Sequence, residues 1–358
     1  MKKLNTLAVF AALSLATSLS FADTVVTKDG SKLIGKIKQI NGANVVLTTD
    51  AAGDVTIKDA NIVSLATDAP INLRLADGTV ALGTANMRAP GMLVINTARG
   101  PVSAGMEKVT QTWAADAKDP ELVKRERHWS FEAGLDVTGR TGNTEQFGTS
   151  VSFSALLKSS FDALKLYTGY DYGRQSQLQS GNVIIRTKSA DQGRVGADYR
   201  NNFSGRFSWY ATDELGFNRI KSMSLYNNAS AGFGYDIVKA SAETLTVRVG
   251  LAHIYQRYSN SPPGTPSSLS TLALDTGLFH DLKMKTWSMH NEIRYQPSVT
   301  DSNTYIIKHE SHIEFPLANP NWKFQVGMAN NYQNPLPPDP LVTERLDTTY
   351  FAKLILDW

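Results

Sequence analysis

The amino-acid sequence predicts an all-β protein: a transmembrane antiparallel β-barrel of about 12 strands, preceded by a small β-rich periplasmic domain with two internal repeats. Three observations lead to this prediction. The chain starts like an export signal, a stretch in its first third repeats itself after 48 residues, and apolar and polar residues alternate from residue 129 onward. Alternation with a period of two is typical of β-strands, because successive side chains point to opposite faces.

Residues 1–22 are expected to be a secretory signal peptide. Two lysines precede a short apolar run, and the small residues Ser20 and Ala22 are of the type that precedes a cleavage site. The apolar run is shorter than the roughly 20 residues that a membrane-spanning helix needs. We therefore expect an exported chain whose mature form starts at Asp23.

The composition excludes several classes of protein. The chain has 36 basic and 33 acidic residues, so loss of Lys2 and Lys3 with the signal leaves a net charge of +1. Such a balance gives no long-range attraction to nucleic acid, and we expect no nucleic-acid partner. The sequence contains no cysteine, which excludes disulfides and thiolate metal sites, and no cofactor is expected. After the signal, no stretch approaches the roughly 20 consecutive apolar residues of a membrane helix.

Residues 23–113 are predicted to form a periplasmic β domain built from two repeats. The Asp-Gly turn at Asp29 recurs 48 residues later at Asp77, and Gly35 recurs as Gly83. Each copy contains short apolar runs separated by turn dipeptides, which favour tight hairpins. Neither copy would bury a core alone, so the two should pack together. A glycine inside a strand usually indicates a bulge or a close crossing of strands, and both explanations apply to these two glycines.

Residues 114–128 are predicted to be a linker. The composition there becomes charged and almost free of β-branched residues, and Asp119 followed by Pro120 is a typical start of a short helical turn. The second predicted domain, an outer-membrane β-barrel, occupies residues 129–358.

Twelve segments of this second domain alternate between apolar and polar residues. They are Trp129–Val137, Phe147–Leu157, Leu164–Tyr172, Val195–Tyr199, Phe207–Leu215, Ala229–Ile237, Leu245–Tyr255, Leu272–Leu278, Trp287–Tyr295, Tyr305–Phe315, Trp322–Met328 and Tyr350–Trp358. One face of these strands is apolar, whereas the other carries many charged residues, which could not form the dry core of a soluble sandwich. The apolar face should therefore point outward into lipid.

The connections between the strands alternate between short and long. The long ones are Tyr172–Lys188, Asn218–Asn228, Tyr258–Ser268, Pro297–Asn303 and Asn334–Asp347. Outer-membrane barrels have short periplasmic turns and longer outer loops, with both chain ends in the periplasm. This pattern predicts a barrel in the cell outer membrane and places residues 23–113 in the periplasm.

Several motifs of the second domain resemble a known family. These are Gly142-Asn143-Thr144, Thr212-Asp213-Glu214, Gly232-Phe233-Gly234-Tyr235 and, near the end, Arg345-Leu346-Asp347. Over about residues 129–358 the chain resembles the YdiY-like salt-induced outer-membrane proteins, also catalogued as domain of unknown function 481. The resemblance implies an outer-membrane barrel without accepted enzymatic chemistry and with a link to salt or envelope stress. The chain departs from the family pattern in ending on Trp358, where phenylalanine is commoner.

The final strand is the first candidate functional element. Tyr350, Leu354, Leu356 and Trp358 lie on its apolar face. The resemblance implies that the barrel assembly machinery reads this end as a signal, so this machinery and outer-membrane lipid are the expected partners.

The second candidate is a lumenal charged network of Glu292, Arg294, Lys308 and Glu310. Opposite charges two residues apart share the inward face of one strand. About twelve strands leave little free bore once such side chains are counted, which predicts small or absent conductance.

Catalytic and metal sites find little support in the sequence. Ser288 and His290 share a strand face, but alternation turns them toward the lumen, away from an acyl substrate. His309 and His312 point to opposite faces and cannot share a metal ion.

Two functions from different classes remain. One is a structural or narrow-permeability protein, and the alternative is a barrel enzyme acting on lipid or surface polypeptide. Such an enzyme needs a polar catalytic cluster at the lipid face or outer rim, and the sequence shows none there. A third hypothesis is a periplasmic protein partner for residues 23–113.

Overall fold

The computed structural model describes residues 22–140, 144–179, 183–340 and 342–358. The expected signal peptide therefore lies, except for Ala22, outside the described residues. The chain divides between Val123 and Lys124 into two compact units. Among the described residues, no helix has both the length and the apolar character that crossing a membrane requires.

The described part of the first unit contains ten antiparallel strands in two series of five. The first series is β1 (Asp23–Thr27), β2 (Lys32–Ile40), β3 (Asn44–Thr49), β4 (Gly53–Lys58) and β5 (Ile62–Ala66). The second is β6 (Ile71–Leu75), β7 (Val80–Ala89), β8 (Met92–Thr97), β9 (Gly100–Gly105) and β10 (Val109–Ala114). A one-turn 3-10 helix precedes the last strand of each series, at Asp59–Asn61 and at Met106–Lys108. The two halves thus have the same order of elements.

One apolar core unites the two halves of this unit. Val25 and Leu47 from the first half and Leu73 and Ile95 from the second are completely buried in one cluster. Backbone groups also join the halves at Thr67, whose N–H donates to the carbonyl of Ala85 over 2.9 Å. Each half leaves one apolar face uncovered unless the other packs on it, so the unit is stable only as a pair.

Gly35 and Gly83 lie where neighbouring strands approach most closely. A Cβ atom on Gly35 would lie 2.2 Å from the carbonyl oxygen of Thr48, and one on Gly83 would lie 2.2 Å from that of Asn96. No side chain fits at such distances. Close strand approach is therefore the reason for both glycines, one of the two explanations left open by the sequence.

The second unit is a closed barrel of twelve antiparallel strands, which confirms the predicted fold class. A short helix, α1 (Pro120–Arg125), precedes it. The strands are β11 (His128–Arg140), β12 (Thr144–Lys158), β13 (Asp162–Gln179), β14 (Val183–Ser204), β15 (Phe207–Asn218), β16 (Met223–Lys239), β17 (Glu243–Tyr258), β18 (Ser268–Lys283), β19 (Ser288–Pro297), β20 (Tyr305–Pro316), β21 (Trp322–Asn334) and β22 (Leu346–Asp357). Each strand pairs with the next along the chain, and β22 pairs with β11 to close the ring.

Two long connections expected from the sequence are wrong. Most of Tyr172–Lys188 is strand, because β13 and β14 remain paired as far as Gln179 and Val183. The connection predicted over Asn218–Asn228 shrinks to residues 219–222. Strands that project beyond an apolar band face water on both sides, so alternation disappears while backbone pairing continues. The connections at 259–267 and 335–345 are long, and we call their end of the barrel the loop end and the opposite one the turn end.

The two faces of the barrel wall differ as alternation predicts. Large apolar side chains such as Leu135, Phe233 and Val249 point outward and are more than half exposed. Aromatic rings concentrate near both strand ends, for example Trp129 at the turn end and Tyr305 at the loop end. A mainly apolar exposed surface on a closed barrel is a lipid-facing surface, and the aromatic rows match interfacial girdles.

Candidate functional site

The lumen of the barrel is the candidate site. It contains a cavity of about 1020 Å³ lined by inward side chains from all twelve strands. The lining mixes acidic and basic groups, so no single sign of charge dominates it. The described wall thus gives the interior a polar, water-compatible surface, while the apolar surface lies outside.

All four residues of the predicted charged network line this cavity. Glu292 forms an ion pair with Arg294 on the same strand, and Oε1 of Glu292 lies 3.4 Å from Nε of Arg294. Lys308 and Glu310 do not pair with each other. Instead the Lys308 ammonium contacts Glu214, and Glu310 lies 3.2 Å from Nδ1 of His312. Of the two opposite-charge pairs expected along a strand, the structure therefore forms only the Glu292–Arg294 pair, and Lys308 and Glu310 contact other residues.

Glu214 on β15 is the centre of one contact set that crosses the lumen. Its Oε1 lies 3.1 Å from Nζ of Lys308 on β20, five strands away in the ring of twelve. The hydroxyl groups of Tyr167 and Tyr226 donate to the same carboxylate over 3.0 and 3.3 Å. Charge-assisted hydrogen bonds are the strong ones, so four strands are braced through one side chain.

Asp275 on β18 is the centre of a second set. It is 2% exposed and accepts from the hydroxyl of Tyr210 at 2.6 Å and from Nε2 of Gln296 at 2.9 Å. The amide of Asn228 donates to Gln296 in turn, over 2.7 Å. Arg294 lies 3.7 Å from the same carboxylate, so the buried charge has both hydrogen bonds and a counter-ion.

Arg248 forms a third brace, based on ring stacking. Its guanidinium lies 4.9 Å from the ring centre of Tyr210 and 4.2 Å from that of Phe279. It also pairs with Asp198 on β14 at 3.2 Å. A planar guanidinium suits both contacts at once, which a lysine ammonium would not.

At the loop end, side chains cross the mouth of the barrel. Asp339, in the connection between β21 and β22, is 4% exposed and accepts from Ser222 and, over 3.0 Å, from Asn260. The ammonium of Lys221, just before β16, lies 2.6 Å from the carboxylate of Asp347 in β22. Because β16 and β22 are six positions apart in the ring of twelve, this ion pair spans the opening.

The Ser288 and His290 pair lies in the lumen wall, as alternation predicted. Ser288 is directed to Glu314 at 3.4 Å rather than to His290. Nδ1 of His290 lies 2.7 Å from Asp281, and its ring is 5.1 Å from that of His312. Ser288 and His290 thus bond to different carboxylates and not to each other, so the serine–histidine hydrogen bond of a catalytic triad is not formed by this pair. Within the described ranges, no group of side chains has the arrangement of a metal site.

Three of the predicted assembly residues, Tyr350, Leu354 and Leu356, lie on the outward face of β22, and the fourth, Trp358, directly follows that strand. Tyr350, Leu354 and Trp358 are 77%, 42% and 55% exposed, and Leu356 is half-buried. Trp358 packs on the ring of Phe131 in the first barrel strand. They therefore belong to the lipid-facing surface and to the seam that closes the barrel.

One feature of the lipid face was not predicted from the sequence. Polar residues lie side by side there on β19 to β22, and we call them the outward polar patch: Asn291, His309, Ser311, Asn330 and Thr348. Asn291, His309 and Ser311 interrupt the apolar side of their alternating segments, a signal that the sequence contains, whereas Asn330 and Thr348 lie just outside the predicted segments. Their adjacency depends on the register of four strands and was not visible.

The inward residues Glu214, Asp275 and Asp339 were missed as well. Alternation could have assigned the first two to the lumen. No local sequence pattern indicates that these three carboxylates form hydrogen bonds and ion pairs with side chains of distant strands.

Comparisons with known proteins agree with a barrel. The family model described as "Protein of unknown function, DUF481" matches residues 131–358, more than half of the chain. None of the curated proteins matches. The chain is similar to the KdgM porin (12% identity, 64% of this chain and 98% of that chain, TM-score 0.35).

It is also similar to the translocator domain of autotransporter NalP from Neisseria meningitidis (11% identity, 65% and 87% of the two chains, TM-score 0.34). A third likeness is to the transport unit of autotransporter AIDA-I from Escherichia coli (12% identity, 67% and 93%, TM-score 0.32). At such TM-scores these likenesses carry no argument about this chain, whose fold is established by its own closed ring of strands.

Proposed function

Because the chain belongs to the DUF481 family of outer-membrane β-barrels of unknown function, we propose that it is a structural or narrow-permeability protein rather than a general diffusion pore. The observation that carries the proposal is the bracing of the lumen. Lys308 reaches Glu214 across the barrel, and Lys221 reaches Asp347 across its mouth. A wide pore needs an unobstructed path, which these contacts interrupt at two levels.

The braces also explain how the cavity would be used. Its lining extends to the turn end, where Ala240 and Glu243 contribute, whereas the loop end is crossed by side chains. Small solutes and ions could occupy the lumen from the turn end, but passage would require the mouth contacts to open. The shorter connections of outer-membrane barrels face the periplasm, so we place the turn end and the first unit there.

The barrel-enzyme alternative is disfavoured by the positions of the two Ser/His pairs. Ser288 and His290 face the lumen. His309 and Ser311 face outward, but the Ser311 hydroxyl donates to Asn291 at 2.5 Å instead of to His309. A hydroxyl without a base in contact is a weak nucleophile at neutral pH. We therefore propose that the chain is not an enzyme.

The link to salt or envelope stress rests on the family resemblance and is part of the proposal. A braced barrel that admits little solute would occupy area in the outer membrane without making that membrane more permeable to solutes. A strain that lacks the protein should then grow normally in ordinary medium and more slowly at raised salt. Equal growth of both strains at every salt concentration would remove the stress link.

Planar-bilayer recording of the purified full chain tests the permeability proposal. We expect small or absent currents for the wild type. Removal of the mouth contacts in the double variant Lys221→Ala and Asp339→Ala should raise the conductance or the opening frequency several-fold. Asp301→Ala is the matched control, because this exposed loop-end carboxylate bonds only to its own turn at Asn303 and Thr304. A large, steady wild-type current would reject the proposal and indicate a diffusion channel.

A further inference from the structure

The outward polar patch contains two neighbouring sets of hydrogen bonds, which together occupy four adjacent strands. Ser311 donates to Asn291 at 2.5 Å, joining β20 to β19. Asn330 on β21 lies 2.9 Å from Nδ1 of His309, and Thr348 on β22 donates to Asn330 at 2.7 Å. The Lys308 ammonium and the Glu310 carboxylate, on either side of His309, make their contacts inside the lumen. Successive side chains of a strand point to opposite faces, so those of His309 and Ser311 point outward.

The patch lies at the depth of the hydrocarbon. Aromatic side chains border it toward the turn end at Phe315 and Trp322, and toward the loop end at Tyr305 and Tyr332. Ser311 is five residues from the end of β20, which is about 13 Å above that end for a strand rise of about 3.4 Å and a tilt of about 40°. That is close to the middle of an apolar band about 25 Å tall.

Polar groups at this depth are costly when they face lipid. An amide or hydroxyl group without a hydrogen-bond partner is strongly destabilised in hydrocarbon, because no water is present to replace the partner. Among the described residues, no group forms a hydrogen bond with Nδ2 of Asn291 or with Nε2 of His309. The bonds within the patch therefore satisfy only part of its hydrogen-bonding capacity.

Other outward polar residues at similar depth form a hydrogen bond to a single neighbouring strand. Thr168 donates to the carbonyl of Arg194 at 3.0 Å, and Thr276 donates to that of Tyr295 at 2.8 Å. Asp213 receives a hydrogen bond from Asn227 at 2.5 Å. Nε2 of His253 lies 3.1 Å from the hydroxyl of Ser270 on the next strand. The outward polar patch differs because one set of bonds joins three strands, at His309, Asn330 and Thr348, with the Ser311–Asn291 pair beside it.

We propose that a second copy of this chain covers the outward polar patch, giving a dimer with two-fold symmetry in the membrane. A two-fold interface brings the same surface of both copies together, so the surface must be complementary to itself. Amide and hydroxyl groups carry both donors and acceptors, and the neutral imidazole carries one of each. The patch contains no formally charged Asp, Glu, Lys or Arg side chain, so two copies meet without like-charge repulsion.

The physical gain comes from moving these groups out of lipid. In the dimer, Nδ2 of Asn291 and Nε2 of His309 can find acceptors and donors on the facing patch. A single hydrogen bond between membrane segments contributes little to their association, so several such bonds over one face are needed, and this patch offers them. Apolar neighbours such as Ile293 and Val326 would supply the packing around them.

Cysteine cross-linking of the full chain in its native membrane tests the proposal, since the chain contains no cysteine of its own. Ser311→Cys should form a disulfide-linked species of twice the chain mass on mild oxidation. Ala211→Cys is the matched control, because Ala211 is outward, half-buried, four residues from the turn end of β15 and nearly opposite in the ring. We expect at least tenfold more dimer with Ser311→Cys. Thr348→Cys, at the patch edge, serves if Ser311→Cys fails to assemble.

A second pair of variants separates dimerisation from folding. The double variant Asn291→Leu and Asn330→Leu should lower the amount of chemically cross-linked dimer about tenfold, while the amount of heat-modifiable folded barrel stays the same. Thr168→Val, outside the patch, should leave the dimer unchanged. Three results would each overturn the proposal. The Ala211→Cys variant could cross-link as much as Ser311→Cys, every variant could give only monomer, or the cross-linked species could have another mass that indicates a different protein.

Discussion

Phe131 and Trp358 exchange two backbone hydrogen bonds, with the Phe131 N–H donating to the Trp358 carbonyl over 2.9 Å and the Trp358 N–H donating back over 3.1 Å. Their rings stack on the outer surface, with centroids 5.9 Å apart and an interplanar angle of 25°. The ring of Phe153 on β12 adds a third member, 6.3 Å from Trp358. Backbone and side chain thus close the barrel at the same point.

The first prediction concerns this seam. Trp358→Ala removes two aromatic contacts worth about 0.5–1.5 kcal/mol each beyond their buried area, at the last pair that closes the ring. We expect a several-fold lower fraction of heat-modifiable folded barrel in the membrane. Asp357→Ala is the control, because Asp357 points inward and loses only its ion pair with Lys323. Normal assembly of both variants would show that the seam does not depend on this ring.

The second prediction concerns the brace at Glu214. Glu214→Gln leaves the Lys308 ammonium without its carboxylate and weakens the bonds from Tyr167 and Tyr226. Loss of a charged hydrogen-bond partner costs about 1–3 kcal/mol, so the urea midpoint of unfolding should fall. Glu243→Gln provides the comparison, since Glu243 lies at the turn end and pairs only with the half-buried His280. A midpoint that falls equally in both variants would contradict a special role for the brace.

The third prediction is topological. A cysteine at Ser261, in the connection at 259–267, should react with a membrane-impermeant thiol reagent on intact cells. One at Ser241, in the turn between β16 and β17, should react only after the outer membrane is permeabilised. The opposite labelling pattern would reverse the orientation and move the first unit out of the periplasm.

The fourth prediction concerns the strand glycines of the first unit. Gly35→Ala and Gly83→Ala each place a methyl group against a backbone carbonyl that cannot move alone. Overpacking of this kind costs about 1–3 kcal/mol, so limited proteolysis of the full chain should cut the first unit faster in both variants. Lys36→Ala, exposed and next to Gly35, should leave the rate unchanged. Unaltered cleavage in the glycine variants would mean that the strands can separate there.

The fifth prediction concerns pH. Burial, and the nearby Glu107 charge, raise the pKa of Asp59 above its ordinary value. A carboxyl whose pKa is higher in the folded unit adds stability below its unfolded pKa and loses that contribution as pH rises through the folded pKa. Asp59→Asn should therefore protect the first unit from proteolysis at pH 7 and make less difference near pH 3. A difference that grows toward low pH would have the wrong sign.

The sequence by itself determined much of the barrel. Alternation is local, and with a period of two it assigns each side chain to one face whatever the rest of the chain does. Hence the twelve strands, the apolar outside and the inward position of Glu292 and Arg294 could be predicted. Alternation was less informative where β13 and β14 project past the apolar band, because both faces there are polar.

Only the tertiary structure decided which side chains meet. Lys308 and Glu214 are 94 residues apart in the chain, and their contact depends on barrel closure and on the register of every intervening strand. The outward polar patch has the same origin, since Asn291 and Ser311 become neighbours only when β19 and β20 pair in this register. Local patterns determine the face on which a residue lies, whereas its partners depend on the accumulated offsets between strands around a closed ring, which no local pattern records.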